Sequence, residues 1–307
     1  MGRFILIRIL QTLIALLGIS LLIFLLVRAS GDPTDLFRTP SSTPEEIANI
    51  RVQLGLDKSV PEQYWIFMKG LAQGDLGFSY LKRRPVTEMI GDALPNSIRL
   101  GGTAFILSML AALILGVLSA TRRDSWLDNV VKFLAVVGQA LPGFWVAIMA
   151  IYIFAVVWPI LPAYGTRGIV NYVMPVGTLS FFLLPGMMRL VRSSMLDVLD
   201  SEYVKLARIK GLPERIVIWK HALRNALIAP LTVAGMIFAQ IITGAVIIET
   251  VFAWPGIGRL NVDAMLARDF PIVQGVTLMV AALILLVNLL VDITYAYIDP
   301  QIRYQST

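Results

Sequence analysis

The side chains that say most about what this chain could do lie in one charged segment. The segment reads Glu202-Tyr203-Val204-Lys205-Leu206-Ala207-Arg208-Ile209-Lys210-Gly211-Leu212-Pro213. Residues 200–210 can form about three helical turns, and Gly211 is suited to a left-handed helix end. Pro213 suits the first turn of a second helix. The pattern therefore predicts a helix, a sharp turn and another helix.

The faces of the first predicted helix suggest what it could bind. Helical spacing places four residues on one face: Tyr203, Leu206, Ala207 and Lys210. Lys205 and Arg208 point elsewhere, and Glu202 can pair with the helix dipole or with an arginine on a partner. Such an element can insert into a groove on another protein, or it can rest on lipid headgroups. The pattern alone leaves both interpretations open.

A second group of polar residues lies in or beside long apolar stretches. Candidates to line a translocation path are Gln139, Gln240, Glu249 and Asn288. Each can equally serve as a helix–helix hydrogen bond, and Glu249 can instead hold the geometry of the loop after it. Asp292, four residues after Asn288, is expected to pair with an arginine or a backbone group. Arg99 opens an apolar stretch and is expected to extend its charge toward water.

The sequence lacks the residues that disulfides, metal sites, nucleotide-binding sites and common catalytic sites require. His221 is the only histidine and there is no cysteine, which excludes disulfides and iron–sulfur clusters. A transition-metal site built on one histidine is not expected, because such sites need several ligands. The sequence contains no Gly-x-x-x-x-Gly-Lys-Ser/Thr and no His-Glu-x-x-His. We therefore expect neither enzymatic activity nor a cofactor bound directly by this chain.

The composition indicates an all-α membrane protein. The 307 residues are 57% hydrophobic and 15% charged, with a mean hydropathy of +0.76, whereas soluble domains carry about 25% charged residues. A bilayer crossing needs about 20 apolar residues. Six stretches without charge meet that length: 9–27, 100–121, 133–166, 168–188, 225–248 and 270–291. The third is too long for one helix and contains three prolines, so we expect its helix near 133–157 with an irregular exit.

The cations orient these stretches. Eight lie between the fourth and fifth stretches: Arg189, Arg192, Lys205, Arg208, Lys210, Arg215, Lys220 and Arg224. Others precede the first stretch or separate the second from the third: Arg3, Arg8, Arg122, Arg123 and Lys132. Because lysine and arginine concentrate on the cytoplasmic side, this pattern predicts both termini and the charged segment inside. The first stretch exceeds a signal-peptide core and should be retained. Anionic lipid, rather than nucleic acid, accounts for the net charge of +6.

The segment before the second stretch should be external and helical. Thr43-Pro44-Glu45-Glu46 is a capping box, and Ser59-Val60-Pro61-Glu62 repeats the pattern. The segment is too small and polar to hold its own core, so it covers its own bundle, docks a binding protein, or does both. The chain then reads as three parts: 1–28, 29–98 and 99–307, the last with a charged loop at 196–226.

Many short motifs occur in order along almost the whole chain and resemble permease subunits of the dipeptide/oligopeptide/nickel group of ABC importers. The charged segment is similar to the EAA loop of that family, with Ile209 and Tyr203 where alanines are usual. The other matching motifs are Gly31-Asp32-Pro33, Leu54-Gly55-Leu56-Asp57, Gly74-Asp75-Leu76-Gly77-Phe78-Ser79, Leu94-Pro95-Asn96-Ser97, Pro142-Gly143-Phe144-Trp145, Arg192-Ser193-Ser194-Met195-Leu196, His221-Ala222-Leu223-Arg224-Asn225-Ala226, Glu249-Thr250-Val251-Phe252-Ala253-Trp254-Pro255-Gly256, Arg268-Asp269-Phe270-Pro271 and Asp299-Pro300.

The resemblance implies the type I importer architecture of six transmembrane helices, with a cytoplasmic coupling helix between the fourth and fifth, in a bacterial inner membrane. It implies four kinds of partner: a homologous second permease in a heterodimer, two ATP-binding subunits that hold ATP and magnesium, an external substrate-binding protein, and the lipid bilayer. It assigns ATPase coupling to Glu202, Tyr203, Lys205, Leu206, Ala207, Arg208 and Gly211.

The implied function is translocation of dipeptides, oligopeptides or related small solutes. Nickel chelates, glutathione and sugars are alternative substrates within the same family. A different class, an ion-coupled secondary transporter, would need internal repeats and carboxylates at mid-membrane depth. The sequence has no inverted repeat, and no carboxylate lies in the middle of a stretch, so the importer is the preferred interpretation.

Overall fold

A computed structural model describes residues 2–31, 34, 43–53, 55–166 and 168–298. The motif residues Asp32, Pro33, Leu54, Asp299 and Pro300 lie outside these ranges, as does the side chain of Gln240. The helices are α1 (Gly2–Ala29), α2 (Pro44–Gln53), α3 (Val60–Ala72), α4 (Val86–Thr121), α5 (Trp126–Ala140), α6 (Gly143–Ile151), α7 (Val170–Leu199), α8 (Glu202–Ile209), α9 (Glu214–Ile216), α10 (Leu223–Ala226), α11 (Ile228–Val251), α12 (Ile257–Leu266) and α13 (Phe270–Ile298). Two π-helical turns, Tyr152–Val157 and Val217–Ala222, continue α6 and α9. Strands β1 (Phe78–Ser79) and β2 (Arg84–Pro85) form a small antiparallel hairpin.

Four uninterrupted helices in the described residues are long and apolar enough to cross a membrane: α1, α4, α7 and α13. Two further helix pairs meet the same test only together, and each is bent. One pair is Trp126–Ala140 with Gly143–Val157, and the other is Glu214–Ala226 with Ile228–Phe238. Counting each bent pair as one span gives six spans. The prediction of an all-α protein with six spans is thereby confirmed.

The single helix expected near 133–157 is wrong. The chain bends by 99° between α5 and the helical stretch that begins at Gly143. Pro142 has no N–H and its ring would clash with the carbonyl of Gly138 in a continuous helix. Leu141 accordingly has the extended backbone, ψ 129°, that a residue before proline favours.

The other bend follows the same rule. Glu214–Ala226 and Ile228–Phe238 meet at 52°. Pro230 is the third residue of α11, where its missing N–H is harmless, but its ring opposes the carbonyl of Ala226 in any continuous helix. The membrane-crossing part of this pair therefore begins at α11, and the charged residues before it form a separate tilted element.

The chain divides into two compact units, residues 1–97 with 255–307 and residues 98–254. In the first unit α1 and α13 pack antiparallel. Ile23 and Val27 from the end of α1 pack with Leu278 and with Phe270 at the start of α13. At the opposite ends of the two helices, an Arg8 guanidinium nitrogen lies 3.3 Å from a carboxylate oxygen of Asp292. Asp292 is thus paired with an arginine, the structural role expected for it.

The two short helices that precede the hairpin, α2 and α3, begin differently. At α2 the capping box forms as predicted: the Thr43 N–H donates to Glu46 Oε2 at 3.0 Å, and the Glu46 N–H donates to Thr43 Oγ1 at 3.2 Å. The same prediction for α3 is wrong, because Ser59 makes no side-chain cap. Pro61 removes one of the N–H donors that the Ser59 hydroxyl could reach. Gln63 instead donates from its amide side chain to the Lys58 carbonyl at 2.8 Å.

Two buried hydroxyls tie elements of this unit together. Ser79 on β1 donates to Asp269, the residue before α13, at 2.5 Å. Ser97 on α4 accepts from the Ile257 N–H at the start of α12 at 2.8 Å. Buried polar groups need such partners, so these contacts fix the hairpin and α12 relative to the helices.

The second unit is built around α7, whose buried residues include Met188, Val191 and Met195. Glycines let neighbouring helices approach it, as in membrane helix packing generally. A Cβ on Gly116 of α4 would lie 2.7 Å from Val191 Cγ1 and 3.0 Å from the Met188 carbonyl. On Gly138 of α5 it would lie 2.5 Å from Pro185 Cγ.

This contact supports a stability prediction. Gly116→Ala should destabilise the protein by about 1–3 kcal/mol, because the added methyl overpacks the α4–α7 contact. Gly102→Ala on the same helix is the matched control, since a Cβ there would meet nothing within 4 Å; alanine at that position should be neutral or stabilising. Thermal unfolding of the purified protein in detergent measures both. Equal melting temperatures for the two variants would contradict the prediction.

Candidate functional site

The charged segment follows α7 almost without a break. Asp200 and Ser201 separate the end of α7 from α8. The Ser201 hydroxyl donates back to the Val198 carbonyl at 2.6 Å, so it closes α7 instead of capping α8. The orientation of α8 therefore depends on α7, and any displacement of α7 is passed to it through a two-residue link.

The face that α8 turns inward differs from the one predicted. Val204 is fully buried and Ala207 is 7% exposed, and both join the core cluster that contains Val217 and Ala222. Of the four residues predicted to share one face, only Ala207 is buried. It is buried together with Val204, three residues earlier, because these two short side chains fit against that core and the longer ones do not. Three apolar side chains of α8 remain at least 44% exposed: Tyr203, Leu206 and Ile209. Lys210 is exposed as well.

The turn after α8 has the predicted glycine conformation. Gly211 has φ +77°, and its N–H donates to the Arg208 carbonyl at 2.9 Å. The Leu212 N–H donates to the Ala207 carbonyl at 3.3 Å. These two bonds make a Schellman motif, which satisfies the last carbonyls of the helix and fixes the direction of the chain beyond it.

An ion pair spans this turn. Arg208 Nη2 lies 2.8 Å from Glu214 Oε1, and Arg208 Nε lies 3.2 Å from Glu214 Oε2. The hydrogen bonds from Arg208 lower the pKa of Glu214, and the same bonds raise the pKa of Arg208. Glu202 pairs with Lys205 of its own helix at 2.8 Å. Two-point geometry holds α8 and α9 in one arrangement more firmly than a single contact would.

A further hydrogen bond ties α8 to the helix that leads into α11. The Asn225 side-chain amide donates to the Tyr203 hydroxyl at 2.8 Å. The Tyr203 hydroxyl therefore has a hydrogen-bond partner within its own chain, while much of the ring stays exposed. With the turn and the Arg208–Glu214 pair, this bond fixes the arrangement of the helices within 202–226, and Leu206 and Ile209 form the outer apolar face of α8.

A buried charge cluster beside this element was not predicted from the sequence. Asp128 of α5 is fully buried. Arg192 of α7 donates to both of its oxygens at 2.8 and 3.0 Å, Lys132 lies 2.7 Å away, and Ser119 of α4 donates to it at 2.5 Å. From the sequence, Lys132 was interpreted only as a cytoplasmic cation, and Arg192 as a cytoplasmic cation and part of a family motif, neither as a partner of Asp128. The available signal was Asp128 itself, a carboxylate four residues before Lys132 on one helix face.

The candidates for a translocation path are scattered. Glu249 is fully buried within its unit, and its carbonyl accepts from the Trp254 N–H at 2.7 Å. Gln139 is exposed, with its amide nitrogen near Gly186 of α7. Asn288 and Arg99 are exposed on α13 and α4. Burial favours the loop-holding role for Glu249, whereas exposure leaves Gln139 and Asn288 able to meet a solute or a partner helix.

Two family models match this chain. One is described as a binding-protein-dependent transport system inner membrane component and matches residues 112–304. The other describes the N-terminal part of such a membrane component and matches residues 1–101. Together they cover nearly all of the sequence, including the segment that contains α8.

Individual proteins match over their whole length. A candidate peptide transport system permease protein of Brucella abortus (strain 2308) is 40% identical, over 99% of this chain and 100% of its own length. A glutathione transport system permease protein of Salmonella choleraesuis (strain SC-B67) is 38% identical, over 99% of this chain and 100% of its own. Among solved structures, the crystal structure of an amino acid ABC transporter with histidines matches with a TM-score of 0.56 and 15% identity, over 68% of this chain and 93% of the other. At that identity the likeness concerns the fold alone.

Proposed function

Because this chain belongs to the family of binding-protein-dependent transport system inner membrane components, we propose that it is the permease through which an ABC importer brings peptides across a bacterial inner membrane. In this proposal an external binding protein delivers the substrate, and a homologous second permease completes the pathway. Two ATPase subunits bind ATP and magnesium, and this chain hydrolyses nothing.

The observation that carries the coupling role is the shape of 202–226. A helix with an outward apolar surface is positioned by a Schellman turn, a two-point ion pair and the Asn225–Tyr203 hydrogen bond. Such a surface suits a groove on another protein. Since α8 follows α7 after two residues, a shift of the ATPase would move α7 as a rigid body and alternate the access of the pathway. Gln139 and Asn288 are the polar groups we propose to face the solute.

Peptides are the proposed substrate class because of the named relatives. The peptide and glutathione permeases match over their full lengths at about the same identity, and glutathione is itself a small peptide. The orientation proposed from the cations has both termini and α8 in the cytoplasm. The helical segment before α4 is then external, where a binding protein can dock.

The test is purification of the tagged chain from its native membrane in mild detergent, followed by uptake assays on reconstituted vesicles. We expect a second permease and ATPase subunits to copurify, and uptake of a labelled dipeptide to require ATP and the binding protein. A chain that purifies alone and transports with an ion gradient would overturn the proposal. Uptake of a nickel chelate or a sugar, but of no peptide, would overturn only the substrate class.

A further inference from the structure

We infer that the element between α8 and α11 carries a binding site for an anionic phospholipid headgroup, formed by Arg215, Trp219 and Lys220. The inference rests on the cytoplasmic placement of this element proposed above, and it concerns a surface other than the outer face of α8. Together with Pro213 and Ile216, these three side chains line a concave surface of about 700 Å³.

The two faces of this element differ sharply. Val217 and Ala222 are fully buried, and five residues apart they share one side of a π-helical turn. The opposite side carries Arg215, Trp219 and Lys220, all exposed. Trp219 is 45% exposed although it is the largest apolar side chain in the element. The chain therefore packs on itself with small residues and presents a tryptophan between two cations outward.

The cations of this surface have no acidic partner among the described residues. In the same loop Lys205 pairs with Glu202 and Arg208 pairs with Glu214. Arg215 and Lys220 form no such pair within the described part of the chain. Glu214 is adjacent to Arg215 in sequence, but both of its oxygens are engaged by Arg208. Two uncompensated charges that line one concavity favour an anion from outside the chain.

The tilt of the element keeps these groups close to the membrane surface. Arg215 and Arg224 are nine residues apart, or about 13 Å along a helix. At the 52° bend before α11, this length corresponds to about 8 Å along the direction of the span. The headgroup layer is about 5–8 Å deep on each side of the hydrocarbon. Trp219 and Lys220 lie between these two arginines, so they fall within that layer if α11 crosses the bilayer upright and the hydrocarbon begins just after Arg224, where the charge-free stretch starts.

Exposed apolar side chains follow this surface in the chain. Ile228 and Leu231, on the first turns of α11, are 60% and 64% exposed. A phospholipid can place its acyl chains along these residues and its phosphate beside Arg215 and Lys220. Arginine gives two-point hydrogen bonding to phosphate oxygens, and tryptophan favours the boundary between headgroups and hydrocarbon. These complementary features identify the occupant as a lipid rather than a free anion.

The experiment uses the intact transporter complex in nanodiscs that contain phosphatidylcholine with or without phosphatidylglycerol. Retained lipid is counted by mass spectrometry, and ATPase subunits are quantified in the same sample. The test variant is Arg215→Gln with Lys220→Gln. Arg122→Gln with Arg123→Gln removes the same charge from another cytoplasmic loop and serves as the control. Arg215→Lys with Lys220→Arg conserves the charge.

We expect wild type and the control to retain phosphatidylglycerol preferentially. The test variant should bind it roughly 30-fold more weakly, as expected for two surface cations, while its ATPase subunits remain bound. The charge-conserving variant should recover most of the binding. Equal lipid retention in the test variant, or an equal loss in the control, would overturn the site. Loss of the ATPase subunits with lipid retention unchanged would assign the surface to the partner, and a wild type without ATPase subunits would refute the proposed function itself.

Discussion

Replacing Leu206 and Ile209 together by aspartate is expected to abolish ATPase binding and peptide uptake while leaving the permease folded. Both side chains are exposed, Leu206 by 50% and Ile209 by 81%, so neither contributes much to the core of this chain. If they fill a groove on the ATPase, burying two carboxylates there should weaken binding at least 100-fold, since central interface residues are worth about 2 kcal/mol or more each.

The measurement is the amount of ATPase recovered with the tagged permease, together with the melting temperature of the permease itself. Leu206→Met with Ile209→Val is the matched control, because it keeps an apolar surface of similar volume. Normal ATPase recovery by the double aspartate variant would refute the coupling role of α8. A lowered melting temperature would show that the two side chains support the fold instead.

The structure also decides which substitutions cannot test coupling. Ala207 is buried beside Val204, so Ala207→Asp would place a carboxylate in the core of this chain. Gly211 has φ +77°, which a proline cannot adopt. Variants at these two positions should fail by disturbing α8 itself, and loss of uptake in them would say little about the ATPase.

Replacing Arg192 by leucine is expected to destabilise the permease by about 3–5 kcal/mol, because it leaves a buried carboxylate without its main partner. Arg192 supplies two hydrogen bonds to Asp128. Lys132 and Ser119 remain in contact with Asp128, which places the effect toward the lower end of that range. Arg192→Lys should be intermediate, since lysine keeps the charge and loses the two-point geometry.

A double-mutant cycle separates the charge pair from simple loss of packing. Asp128→Leu combined with Arg192→Leu should be more stable than Arg192→Leu alone, because no buried charge remains. Unfolding of the purified complex in detergent, by heat or by denaturant, gives the free energies of unfolding of the wild type, the two single variants and the double variant. A double variant no more stable than Arg192→Leu alone would show that Asp128 and Arg192 do not act as a unit.

Much of the local structure was determined by the sequence alone. The capping box at Thr43 formed, Gly211 adopted its left-handed turn, and four of the six charge-free stretches lie in uninterrupted helices long enough to cross a membrane. These features depend on a few neighbouring residues and on the need of a membrane helix to satisfy its own backbone. The family could likewise be recognised from ordered motifs, although the coupling and pathway residues remain proposals.

The tertiary structure decided what depends on contacts between distant residues. Both faces of α8 carry apolar side chains, and only the shape of the core around Val217 and Ala222 selects Val204 and Ala207 for burial. Asp128 can be buried as a charged group because it pairs with Arg192, sixty-four positions later in the chain. Pro142 predicts a break in the helix, but the 99° angle of the bend depends on the packing of the helices on either side. Local patterns determine where helices start and end and which of them cross the membrane. The packing of distant side chains determines which face of a helix is buried and which is left for a partner.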